Sequence, residues 1–116
     1  MVTFICYDKC STCKKARAWL KEKGVSYEER PIKENNPTYE ELRRWTEKSG
    51  QGIRKFFNTS GTLYKTMNLK DRLPEMSDEE QLRLLSTDGM LVKRPIIING
   101  DKVCAGFKEE TWEKII

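Results

Sequence analysis

The segment Pro95-Ile96-Ile97-Ile98-Asn99-Gly100 constrains the fold of this chain more than any other. Three consecutive branched apolar residues have no polar face, which is what a strand covered on both sides of a sheet requires. Asn99-Gly100 follows directly, and Asn-Gly is the strongest short-range hairpin signal. Asp101 to Cys104 therefore reads as an antiparallel return strand, broken by Ala105-Gly106. A last helix over Lys108 to Ile116 turns Trp112, Ile115 and Ile116 inward.

A buried central strand needs neighbours. Val2 to Cys6 is apolar and β-prone and reads as the first strand. Tyr7-Asp8-Lys9 turns away from it, and Ser11 or Thr12 can cap a helix running to about Lys23. Ala16, Trp19 and Leu20 fall on one face of that helix, and Gly24 sits where a left-handed C-terminal residue belongs. Val25 to Ile32 completes a strand–helix–strand unit, which is parallel and right-handed.

The stretch from about 34 to 90 reads as a helical insertion. Thr38 with Glu41, and Ser77 with Glu80, are capping boxes. Tyr39, Leu42 and Trp45 follow the helical period in the first helix, which Gly50 and Gly52 end. Leu82, Leu84 and Leu85 follow it in the later one, which Gly89 closes. Phe56-Phe57 reads as a core anchor, and Leu63, Met67 and Leu69 suggest a short helix. The expected architecture is one α/β domain over 1–116, with its βαβ…ββα core at about 1–33 and 91–116. At 116 residues the chain is the size of a single domain.

Mean hydropathy is −0.73 and no long apolar stretch occurs, which argues against a membrane span. The N-terminal apolar run is too short for a signal peptide and has no basic residue before it. An intracellular, cytoplasmic protein is expected. The net charge of +4 is spread along the chain without a basic block, so direct nucleic-acid binding is not expected.

The chain has four cysteines and no histidine. Without histidine there are no Ser–His or Cys–His catalytic pairs and no imidazole proton shuttle. Thiol, carboxylate, arginine and lysine chemistry remains. Cys10 and Cys13 stand three apart at a helix start, where two sulfurs can meet across one turn. Free N–H groups and the positive helix end favour a thiolate at Cys10. Lys14 and Lys15 oppose the helix dipole there, which suggests a negative group nearby, either the Cys10 thiolate or a bound oxyanion. Cys10 is the expected nucleophile and Cys13 the resolving thiol. Two other readings stand beside this one. Cys6 and Cys104 can be imagined completing a zinc site with the pair, or the pair can be purely structural. Taken alone, Cys6 and Cys104 read as small apolar core residues, and no metal site is expected.

These residues together resemble the ArsC/Spx family, the arsenate reductase-related branch of thioredoxin-like proteins, closest to its C-x-x-C members. The likeness covers Cys10-Ser-Thr-Cys13-Lys-Lys-Ala-Arg17, Phe57-Asn-Thr-Ser-Gly61, Asp88-Gly-Met-Leu-Val92, Lys93-Arg94-Pro95-Ile96 and Val103 to Phe107. It implies a thioredoxin-like fold with a cis proline at Pro95 facing the dithiol. Arg94 would then aim its fork toward Cys10, although a surface arginine before a strand is the other reading. Ser11, Thr12, Lys14 and Arg94 become the expected anion or substrate contacts. The resemblance implies a thiol–disulfide oxidoreductase with no bound cofactor, drawing electrons from glutathione, glutaredoxin or thioredoxin. Arsenate reduction coupled to those donors is a second implication. Of the three arginines that grip the arsenate adduct, Arg94 matches one, while the others fall at about Asn58 and near Ala105 or Gly106. A third implication, from Spx, is a redox-sensing regulator that binds the RNA polymerase α subunit, with Gly52 on the binding surface. A monomer is expected.

Overall fold

The computed structural model describes all residues from Met1 to Ile116. Its elements are β1 (Val2–Cys6), α1 (Ser11–Glu22), β2 (Tyr27–Pro31), α2 (Tyr39–Ser49), α3 (Thr62–Thr66), α4 (Leu69–Arg72), α5 (Asp78–Leu85), β3 (Ile96–Asn99), β4 (Lys102–Ala105) and α6 (Glu109–Ile115). Short 3-10 turns at Ile53–Phe56, Leu73–Glu75 and Gly89–Leu91 link the middle helices. The four strands form one sheet in the order β2-β1-β3-β4. β1 runs parallel to β2, and β3 runs antiparallel to both β1 and β4. This is the thioredoxin-like α/β arrangement anticipated from the sequence.

Alternation along the strands divides the interior in two. Val2, Phe4 and Cys6 of β1, with Ile97 of β3 and Cys104 of β4, meet α1 and α6 through Ala16, Trp19, Leu20, Trp112 and Ile115. Ile5, Ile96, Val103 and Ala105 face the other way, onto Leu42, Trp45, Phe56, Phe57 and Leu85. Ile96 and Ile97 are thus fully buried in opposite layers, and Ile98 packs half-buried on the side of Ile96.

Both capping boxes form as expected, at Thr38 with Glu41 and at Ser77 with Glu80. Several boundaries differ from expectation. The second strand is shorter than Val25 to Ile32, since the chain uses Gly24 at φ 69° and then Val25 to leave α1. The expected single short helix after Phe57 is two, α3 and α4, separated by Asn68 in the left-handed region at φ 52°. α5 ends at Leu85 with Ser86 as its cap, and Gly89 opens a 3-10 turn. The tight turn centres on Gly100-Asp101, because Asn99 pairs with Lys102 as the last residue of β3. Its amide nitrogen donates to the carbonyl of Ile115 at 2.6 Å, tying the hairpin to the end of α6. No helix is long and apolar enough to cross a membrane.

Candidate functional site

The site starts where β1 ends. The N–H of Cys10 donates to the carbonyl of Tyr7 at 3.0 Å, which closes the turn between strand and helix. Cys10 itself is the N-cap of α1, where Ser11 or Thr12 was anticipated. Its sulfur accepts the backbone N–H of Cys13 at 3.3 Å, the place a serine or aspartate oxygen takes in most helices. Cys10 is half-buried, whereas Ser11 and Thr12 are exposed.

Cys13 is a turn deeper and fully buried between α1 and the sheet. Its sulfur accepts the N–H of Tyr7 at 3.4 Å. Burial pushes the Cys13 thiol up to about 12, and its hydrogen bond and charge interaction with Cys10 add to this, while the Tyr7 N–H works against it. The pair is therefore unequal. One sulfur is reachable at the helix tip, and the other is held protonated beneath it. All four cysteines are free thiols in this structure.

Cys6 and Cys104 lie in the same layer as Cys13, and burial raises both thiols. The nearby carboxylate of Glu29 raises Cys6 further, and Arg17 partly offsets it. Arg17 Nη2 approaches the Cys6 sulfur at 3.6 Å, while Arg17 Nε binds Glu29 at 2.6 Å. No group of three or more His, Cys, Asp or Glu side chains is placed to hold a metal ion.

Pro95 is buried and the Arg94–Pro95 peptide bond is cis. The Arg94 guanidinium lies over the Tyr7 ring, 5.0 Å from its centroid, and Nη1 donates to the carbonyl of Met90 at 3.4 Å. Tyr7 thus links the two halves of the site, since its backbone meets Cys10 and Cys13 and its ring carries Arg94. Beside them opens a cavity of about 480 Å³, lined by Thr12 and Arg94 together with Arg54, Lys55, Lys93 and Lys108. Lys14 and Lys15 are exposed on α1, outside that lining and in no ion pair. Gly52 is also outside it. With φ at 87° it is exposed and lines two neighbouring open depressions together with Ile53 and Asp78.

Sequence reading missed most of the cavity's cations, because nothing local marks them. They converge through backbone pairing. Asn58 N–H donates to Leu91 at 2.8 Å and Lys93 N–H to Phe56 at 2.7 Å, so Phe56-Phe57 anchors Arg54-Lys55 beside Lys93-Arg94. Gln51 completes the frame. Its amide accepts from the Ala105 N–H at 2.9 Å and donates to the Ala105 carbonyl at 3.2 Å, covering the free edge of β4.

Comparison with known proteins gives concordant likenesses. The sequence model of the ArsC family matches residues 6–115. YusI of Bacillus subtilis is 51% identical over 113 residues, covering 97% of this chain and 96% of that protein. The regulatory protein MgsR of the same organism is 32% identical over 106 residues, covering 91% and 82%. A crystal structure of an ArsC-family-related protein from Bacteroides fragilis superposes with a TM-score of 0.97 at 49% identity, over 99% of this chain and 97% of that one. An arsenate reductase from Vibrio cholerae superposes with a TM-score of 0.87 at 26% identity, over 99% and 97%.

Proposed function

The chain belongs to the ArsC family, and from that premise we propose that it is a thiol–disulfide oxidoreductase with Cys10 as nucleophile and Cys13 as resolving thiol. The observation that carries this reading is the inequality of the two sulfurs, half-exposed at the helix cap and fully buried one turn below. The Cys10 thiolate attacks one sulfur of a substrate disulfide. An S–S bond to Cys10 forms, the substrate's S–S bond breaks, and the departing thiolate takes up a proton. Cys13 then gives up its proton and attacks the Cys10 sulfur. This forms the Cys10–Cys13 disulfide and releases the second substrate thiol.

The surroundings time the second step. In the mixed disulfide Cys10 carries no negative charge, so its contribution to holding Cys13 protonated disappears. The Tyr7 N–H remains to receive the Cys13 thiolate. The dithiol supplies two electrons per turnover. Glutathione, glutaredoxin or thioredoxin returns them in the cytoplasm.

The test is trapping. Cys13→Ser protein should accumulate mixed disulfides through Cys10, seen by mass spectrometry, and Cys10→Ser protein should accumulate none. Equal or absent trapping in both variants would refute the assignment. Arsenate-dependent oxidation of NADPH with coupled reductants examines the arsenate reading, which Arg94 in the cavity and the Vibrio likeness support. The likeness to the regulatory protein MgsR supports a regulatory role, and the exposed position of Gly52 suits a surface that binds the RNA polymerase α subunit. Co-purification with that subunit in either redox state checks it.

A further inference from the structure

The cavity beside the dithiol holds Arg54, Lys55, Lys93, Arg94 and Lys108, and its lining includes no aspartate or glutamate. None of the five takes part in an ion pair. Elsewhere Arg17, Arg30 and Arg83 are each matched to a glutamate, at 2.6, 2.6 and 3.1 Å. Five unpaired positive charges exceed the net +4 of the whole chain, so the cavity concentrates charge that the remaining surface cancels. Such a concave single-sign lining raises the local concentration of anions. The walls between the cations are partly apolar, with Phe57, Tyr64 and Phe107. The volume of about 480 Å³ equals roughly sixteen water volumes, far more than a tetrahedral oxyanion fills. Thr12, next to Cys13, lies at one side of the cavity and Cys10 is not in its lining.

We propose that this cavity binds the non-reacting part of the substrate, and that the substrate is the disulfide of a small thiol carrying two or more negative charges and no ammonium group. The inference rests on the oxidoreductase reading and names its substrate class. The anionic body occupies the cavity while the sulfur reaches past Thr12 to Cys10. Phosphates and carboxylates both satisfy the cations, with arginine able to grip either bidentately and lysine acting as a point charge. The missing acid residue supplies discrimination. The α-ammonium of a zwitterionic thiol such as glutathione finds no partner in the lining, so its glutamyl end is disfavoured relative to a purely anionic group.

The test compares kcat/KM for five disulfides in the intact protein. Coenzyme A disulfide carries phosphates, mercaptosuccinate disulfide carries carboxylates, and glutathione disulfide is zwitterionic. Hydroxyethyl disulfide is neutral and cystamine is cationic. The first or second should exceed the neutral compound ~10-fold or more, cystamine should be slowest, and raising salt from about 0.05 to about 0.5 M should erase most of the difference. Whichever anionic compound leads identifies phosphate or carboxylate as the recognised group. In Lys55→Gln and Lys108→Gln proteins the anionic-to-neutral ratio should fall ~3-fold per charge removed, the size of one partly exposed ion contact. Equal kcat/KM for neutral and anionic disulfides overturns the inference and leaves the oxidoreductase reading intact. Calorimetric titration of coenzyme A and mercaptosuccinate into Cys10→Ser protein separates the two failures. Salt-sensitive binding there, with no disulfide reduced by the native protein, would keep the anion site and sink the oxidoreductase reading.

Discussion

The backbone N–H of Cys13 points at the sulfur of Cys10, 3.3 Å away, so the first thiol caps the helix that buries the second. Helix, cap and dithiol are therefore one local structure. Loss of the Cys10 sulfur removes the nucleophile and the cap of α1 together, whereas loss of the Cys13 sulfur leaves the cap and removes the acceptor of the Tyr7 N–H.

That arrangement predicts selective modification. Iodoacetamide at neutral pH should label Cys10 of the native reduced protein first. Cys6, Cys13 and Cys104 are buried and should label only on unfolding. Peptide mapping after short and long exposure reads the order, and early labelling of Cys13 would contradict it.

Stability should fall in alkali because of Cys13. Its folded value is raised from 9.0 to about 12, so the folded state holds a proton that the unfolded chain releases. The resulting stabilisation is complete below about pH 9 and is lost as pH rises toward 12. The slope is about 1.4 kcal/mol per pH unit between those limits. Urea midpoints under reducing conditions at several pH values should decline more steeply for the native protein than for Cys13→Ala.

The ion pair of Arg30 and Glu41, at 2.6 Å, joins β2 to the first turn of α2 and so ties the sheet to the middle helices. Arg30 and the Thr38 N–H hold the Glu41 carboxyl down at about 2 against burial. The stabilisation is complete above about pH 4.5 and is lost as pH falls through 2. Glu41→Gln should cost about 2–3 kcal/mol at pH 7 and much less near pH 2, measured by denaturant titration.

Gly89→Ala should destabilise strongly. A Cβ there would stand 2.1 Å from the carbonyl oxygen of Ile32, a backbone atom with no freedom to withdraw. We expect a loss of about 2–4 kcal/mol in thermal or urea unfolding. At Gly24 and Gly100, where a Cβ meets nothing within 4 Å, the cost comes from the left-handed backbone alone and should be smaller.

Legibility in the sequence followed the range of the interaction. The isoleucine run, both capping boxes and the C-x-x-C at a helix start depend on spacings of a few residues, and all were readable. The end of β3 was misplaced by a single step, because Asn99 is held by a carbonyl sixteen residues away in α6. The helix cap was misplaced because a thiol rather than a hydroxyl accepts the N–H. Gly89 read as a helix terminator, and its close approach to Ile32 could only appear once the chain was folded.

The sequence by itself determined the sheet centre, the two capping-box helix starts and the presence of a dithiol, since these follow from local periodicity and backbone chemistry. The tertiary structure decided how completely Cys13 is buried, and it gathered Arg54, Lys55, Lys93, Arg94 and Lys108 around one cavity. Those properties depend on desolvation and on charges brought together from three separate stretches of chain. Neither is a property of neighbours in sequence. The burial of Cys13 is set by the packing of α1 on the sheet, and the gathering of the cations by the pairing of residues 56–58 with 91–93 and the clasp of Gln51 on Ala105.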